Sequence, residues 1–309
     1  MSIQILKKEI PSTDKIHTLR GVLFLPEGEI KAVLQISHGM VEHIGRYKPF
    51  MTYLAENGFA VFGHDHIGHG ATAENDEELG YFAEKDGWKT VIDDVHAFGS
   101  AVMQEFPGKK HFLLGHSMGS FIARNGAAKY SEDFDAFIIM GTGGPNPASD
   151  LGLFLTSFIK CVKGGKHIST LADKAAFSTY NKKTGSDNPY AWLTHDEEML
   201  TAHDADKYCM FKFTVSAMHD LVKLQKEANL KKWFRSVNKD MPIFIVSGDE
   251  DPVGGYGRGV KKVYERLSAA GVRDVTLKLY PGMRHEILNE VGRDEVESDI
   301  LHWMDSKIN

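Results

Sequence analysis

The stretch Gly115-His116-Ser117-Met118-Gly119 holds a serine between two glycines. Before it, His111 to Leu114 form a short apolar run of strand type. After it, Phe121, Ile122, Ala127 and Ala128 recur at helical intervals as far as Tyr130. A strand, a tight turn with serine at its apex and an immediate helix is the setting that lifts a serine hydroxyl clear of a sheet edge as a nucleophile. Both glycines are needed because such a turn leaves no room for a Cβ on either flank. A serine hydroxyl titrates far above neutrality, so it needs a base, and the base needs an acid to orient it.

Partners for Ser117 are sought beyond the carboxyl ends of other strands, where open α/β sheets place their ligands. The strand around Phe244-Ile245-Val246-Ser247 ends in Gly248-Asp249-Glu250-Asp251-Pro252, and the strand Thr276 to Tyr280 ends in Pro281-Gly282-Met283-Arg284-His285. This gives the order serine, acid, histidine. Asp249 follows a glycine and is placed to cap its own turn. Asp251 lies deeper and is held extended by Pro252. Asp251 is therefore the expected acid, with Asp249 as the alternative. Of the fifteen histidines, His285 alone follows the last strand and is the expected base; His302, beside Trp303, reads as packing. An oxyanion hole needs two preorganised N–H donors. The backbone of Met118, at the helix start, and that of Met40, in the loop after Ala32 to Ser37, are the natural pair.

The elements that must hold these groups alternate. Two antiparallel strands open the chain, with a turn near Pro11-Ser12. Strands then read at 32–37, 59–65, 111–114, 136–141, 242–247 and 275–280, with helices between them. This predicts an α/β fold with a mostly parallel central sheet flanked by helices. The alternation breaks after Gly143-Gly144-Pro145. The expected division is core over 1–145, a helical cap over 146–212, and core again over 213–309. The segment 151–162 carries too many apolar residues for a surface helix. Leu151, Leu153, Phe154, Phe158 and Ile159 are expected to face the acyl chain of a long-chain ester, since each buried methylene contributes about 0.8 kcal/mol.

The bulk properties exclude more than they identify. A net charge of −6 with a pI of about 6.2 does not favour nucleic acid or an anionic membrane as partner. No apolar leader or membrane-length run is present, so the chain reads as cytoplasmic, with Cys161 and Cys209 as free thiols. The His64-Asp65-His66-Ile67-Gly68-His69 run suggests zinc, but it lacks an Asp beside its last histidine; a loop bracing the serine turn is the expected role, with no metal and no cofactor. His116 is expected to point away from Ser117, and Arg46-Tyr47 to anchor the first helix.

Taken together, HGMVEHIGRY (38–47), HDHIGHG (64–70), GHSMG (115–119), SGDEDP (247–252) and GMRHEI (282–287) follow one another across nearly the whole chain. In these blocks the sequence resembles the monoacylglycerol lipase and lysophospholipase branch of the α/β-hydrolases, of serine aminopeptidase S33 type. The resemblance implies the α/β-hydrolase fold, a Ser117–His285–Asp251 triad, backbone donors at Met40 and Met118, and a mobile cap. It also implies a small-molecule lipid ester as substrate, with at most transient contact with a membrane surface. The chain departs from the pattern at Ala71-Thr72-Ala73, where relatives often place a serine, and in a long loop from Glu74 to Gly87. Two other readings stand beside ester hydrolysis. One is an amidase or aminopeptidase using Asp196, Glu197 or Glu198 to hold an amine. The other is a non-catalytic binding protein on a hydrolase fold.

Overall fold

The computed structural model describes residues 3–308. Five strands are buried along their whole length: β3 (Val33–Ser37), β4 (Ala60–His64), β5 (His111–His116), β6 (Ala136–Met140) and β7 (Ile243–Gly248). Near-continuous apolar sequence is what a strand covered on both faces requires. The hairpin of β1 (Gln4–Pro11) and β2 (Thr18–Leu25) lies at one edge, and β8 (Val275–Tyr280) at the other. The eight strands run in the order β1-β2-β4-β3-β5-β6-β7-β8, antiparallel as far as β4 and parallel from there on.

Strand alternation sorts the core. Leu113, Phe137, Ile139 and Ile245 meet α2 (Gly87–Met103), α3 (Met118–Lys129) and α9 (Arg258–Ala269) on one face. Phe112, Leu114, Ile138 and Val246 meet α1 (Lys48–Glu56) and α10 (Arg293–Ser306) on the other. From β3 the chain moves outward to β4 and then returns to β5 on the opposite side of β3. The order therefore reverses between β3 and β5, and the loops leaving these two strands part to open a crevice.

Between β6 and β7 the described chain holds no strand but five α-helices, α4 (Ser149–Lys163), α5 (Thr170–Phe177), α6 (Glu197–Ala205), α7 (Val215–Glu227) and α8 (Lys231–Ser236), with short 3-10 turns at Tyr180–Lys183 and Lys207–Cys209. Helix α7 packs on α2, α3 and α4. The expectation for 151–162 fails here. Helix α4 buries only Ser149 and Thr156, while Leu151, Phe154, Phe158 and Val162 are 60–70% exposed. Their spacing of three, four and four residues puts them on one face of the helix. Leu153 and Ile159 are half-buried, and Ile159 alone of the five packs against the core. An amphipathic helix and a buried one can carry the same number of apolar residues. Thr156 and Lys160, which reach His219 and Ser216 of α7 at 3.0 and 3.1 Å, mark the side that turns inward.

Candidate active site

Ser117 joins β5 to α3 at φ 52° and ψ −117°, a conformation that L side chains rarely adopt. Its N–H donates to Met140 O at 3.0 Å, locking the turn to β6. A Cβ at Gly115 would overlap the Gly119 carbonyl, and one at Gly119 would overlap the Ser37 carbonyl. The glycines are therefore required by close approach. The strained residue is left half-exposed at the crevice while its neighbours are buried.

The loops after β7 and β8 meet beside this turn. His285 is 2% exposed and Asp251 is fully buried, with His285 Nδ1 3.0 Å from Asp251 Oδ1. Asp251 also accepts the Val253 N–H at 2.8 Å and the Ser247 hydroxyl at 3.1 Å. Burial alone would raise its carboxyl, but His285 and these two donors outweigh it and hold Asp251 below the usual carboxylate range. Asp249 is exposed, and its Oδ1 accepts the Gly282 N–H at 2.8 Å, tying one loop to the other. The structure thus brings Asp251, not Asp249, to His285.

The loop after β3 comes up against Ser117: a Cβ at Gly39 would sit 3.1 Å from the Ser117 Cβ. Gly39 N–H donates to Glu42, and Val41 N–H donates to His69 Nε2 at 3.3 Å. The intervening Met40 N–H has no such partner among the described residues. Met118 opens α3, where first-turn N–H groups lack acceptors within the helix.

Sequence reasoning gave no role to Glu42 or Glu286, yet both are buried at this site. Glu42 Oε1 accepts from the Tyr47 hydroxyl at 2.9 Å and His116 Nδ1 at 3.0 Å as well as from Gly39. Arg46 grips Glu286 with two bonds of 2.6 and 2.7 Å and reaches Glu42 at 3.3 Å. His116 Nε2 lies 3.3 Å from His285 O, with the two rings 4.8 Å apart. Burial pushes the His116 imidazole down, but Glu42 more than reverses this and leaves it raised. Arg46, Tyr47 and His116 therefore belong to one buried network that ties the β3 loop to His285. The signal lay in the blocks HGMVEHIGRY and GMRHEI, whose glutamates read on their own as solvated charges.

Residues from the helical segment complete the wall. Trp192 lies 5.1 Å from the His285 ring and 5.0 Å from Tyr180, ring centre to ring centre. A cleft of about 370 Å³ opens beside them, with Lys183, Glu250, Tyr256 and Arg284 also in its lining. Leu151, Phe154 and Phe158 are not in that cleft.

The histidine run braces the β3 loop. His66 N–H donates to His38 Nε2 at 3.0 Å, His66 Nε2 contacts the Ser37 hydroxyl at 3.1 Å, and His69 meets Val41 as above. Burial pushes these imidazoles down, to about 4 for His69 and about 3 for His64, which stacks on Phe98. Asp65 Oδ1 accepts the Ile44 N–H at 2.8 Å and so spends its charge on backbone.

The profile of the family described as serine aminopeptidase, S33, matches residues 28–292. A monoacylglycerol lipase of Mycolicibacterium smegmatis is 25% identical over 97% of this chain and 100% of its own length. A monoglyceride lipase of Homo sapiens is 26% identical over 90% of this chain and 82% of its own. The crystal structure of a thermostable carboxyl esterase from Bacillus coagulans in complex with glycerol superposes with a TM-score of 0.93 at 28% identity, covering both chains completely.

Proposed function

The chain belongs to the serine aminopeptidase S33 family of α/β-hydrolases, and on that premise we propose that it hydrolyses carboxylic esters of lipid-like substrates through an acyl-enzyme. Ser117 attacks the ester carbonyl, and His285 takes its proton and later gives it to the departing alcohol. Asp251 fixes the imidazole, while the N–H groups of Met40 and Met118 receive the oxyanion. Water then releases the fatty acid by the same route in reverse. The observation that supports this reading is the strained Ser117 turn together with the His285–Asp251 pair, joined through His116, next to Ser117, whose Nε2 lies 3.3 Å from His285 O. Losing one oxyanion donor costs on the order of 100- to 1,000-fold in rate.

Residues 146–212 form the cap in this reading, with Trp192 over His285. The monoacylglycerol lipase and monoglyceride lipase among the relatives favour a single acyl chain on a small polar head. Leu151, Phe154, Phe158 and Val162, exposed on one face of α4, suit transient contact with aggregated lipid rather than an acyl pocket. No helix among the described residues is long and apolar enough to cross a membrane. The amidase reading is weakened at its proposed anchor. Asp196 caps α6 through the Glu198 and Met199 N–H groups and lies 3.4 Å from Arg293, while Glu197 and Glu198 are exposed.

The test is intact-mass spectrometry after a fluorophosphonate, on wild type and Ser117→Ala. One adduct on the wild type and none on the variant is expected, followed by faster turnover of a monoacylglycerol than of an aminoacyl anilide. No adduct on folded wild type would move the non-catalytic reading to the front.

A further inference from the structure

Cys209 and His43 belong to different parts of the chain and take no part in the chemistry above. His43 lies in the loop after β3, three residues beyond Met40. Asp206 and Cys209 lie in the turn that follows α6. In the folded chain His43 Nε2 is 2.8 Å from Asp206 Oδ2, and the donor atoms of His43, Asp206 and Cys209 all lie within 4.8 Å of one another. No other group of three or more such side chains among the described residues meets that spacing.

We propose that His43, Asp206 and Cys209 bind a borderline-soft divalent cation, zinc before the others, at the seam between the β3 loop and the segment after α6.

Three observations support this. The donor set is one imidazole nitrogen, one carboxylate oxygen and one sulfur, which suits zinc and its neighbours and is poor for magnesium or calcium. A tetrahedral zinc separates such ligands by about 3.2–3.8 Å, given metal–ligand bonds of about 2.0–2.3 Å. The imidazole–carboxylate contact need only open, and the sulfur close, by side-chain rotation. Finally, Asp206 brings a carboxylate to the site directly, whereas Glu42 and Glu286 behind it are held by Arg46 and His116. A dication entering there meets the charge of Asp206. Asp206 and His43 keep about a third and a fifth of their side-chain surface open, which gives the ion a way in, while Cys209 is fully buried. Three protein ligands would leave the fourth tetrahedral position to water. On binding, the Cys209 thiol gives its proton to solvent and the sulfur takes the metal, with no change of oxidation state. This differs from the histidine run, where His38, His66 and His69 spend ring nitrogens on backbone and hydroxyl groups.

The experiment titrates chelator-treated full-length protein with cobalt(II) chloride under reducing conditions. It is run in a Cys161→Ser background, since the other thiol is exposed. One equivalent is expected to develop a thiolate-to-cobalt charge-transfer band with the visible bands of a tetrahedral ion, and zinc to abolish both. Cys209→Ser should lose the charge-transfer band, and His43→Ala should weaken binding at least tenfold. Absence of the band in the Cys161→Ser protein, or its persistence in Cys209→Ser, overturns the site. If Cys209→Ser does not fold by circular dichroism, His43→Ala and Asp206→Asn decide: unchanged cobalt affinity in both overturns it as well.

Discussion

Two carboxylate–histidine pairs lie side by side in this molecule, and a third set of histidines bonds to no carboxylate. Asp251 faces His285, and Glu42 faces His116, with the two rings 4.8 Å apart. Nearby, His38, His64, His66 and His69 are just as buried. Burial works against the imidazolium in every case, yet His116 ends raised while the four others end lowered. The difference is a direct bond to one buried carboxylate, itself held down after burial would have raised it, chiefly by that bond to His116. Depth fixes the size of the penalty, and the partner fixes its outcome. Of the two paired histidines, both ring nitrogens of His116 are taken up by Glu42 and the His285 carbonyl, whereas His285 meets Asp251 through Nδ1 and lies against Trp192.

The comparison breaks most sharply at the pair that the proposed function makes catalytic. Asp251→Asn keeps the shape but no longer fixes the imidazole in the tautomer that takes the serine proton. Turnover should fall on the order of 10⁴-fold, measured as kcat on a soluble ester, with binding of a product analogue retained. Glu42→Gln moves His116 into the lowered class. It leaves Arg46 and His116 short of a charge and weakens the bond to Gly39. Stability should drop by about 3–5 kcal/mol, as for other broken buried ion pairs, read from urea unfolding.

The pH profile carries the same distinction with opposite signs. A raised His116 contributes stability that is full below its unfolded value of 6.5 and is lost as pH rises through its folded value. The depressed Glu42 and Glu286 contribute above the ordinary carboxylate range, and that contribution is lost on acidification through their folded values. The lowered histidines also cost stability on acidification, because the unfolded chain takes up protons below pH 6.5 that folded His64 refuses until about pH 3. Both ring nitrogens of His64 lack hydrogen-bond partners. His64→Phe should therefore stabilise by about 1–3 kcal/mol. It should also flatten the acid limb by up to about 1.4 kcal/mol per pH unit. Urea midpoints at a series of pH values check both, and an unchanged slope would mean His64 is already protonated in the fold.

The serine turn and both partner loops were legible because each rests on local grammar: an apolar run, a glycine or proline that forces a turn, and a polar residue at a strand end. The place of Met40 after β3 was legible by the same route, while its part as an oxyanion donor belongs to the proposal. Glu42 and Glu286 were not, because a glutamate destined for burial looks like a solvated one until its partner is known. Arg46 and Glu286 stand 240 residues apart in sequence. Helix α4 misled for a related reason: Leu151, Phe154, Phe158 and Val162 form a stripe whose period was visible, but not the side of the helix that faces the protein.

The smallest effect should come from the carboxylate left out of every pair. Asp249 stands two residues before Asp251 and was the alternative acid in the sequence. Its side chain is exposed and accepts one backbone N–H, from Gly282. In Asp249→Asn an amide oxygen can still accept that bond, and no buried histidine loses a charge. Stability should change by no more than about 0.5–1.5 kcal/mol, the net worth of one hydrogen bond, and kcat by about twofold at most. Measured beside Asp251→Asn, the pair separates position from residue type: the same substitution, two residues apart, should differ by more than a thousandfold in turnover. Comparable losses in both would mean that the two loops act as one unit and that the Gly282 tether, rather than contact with His285, sets the rate.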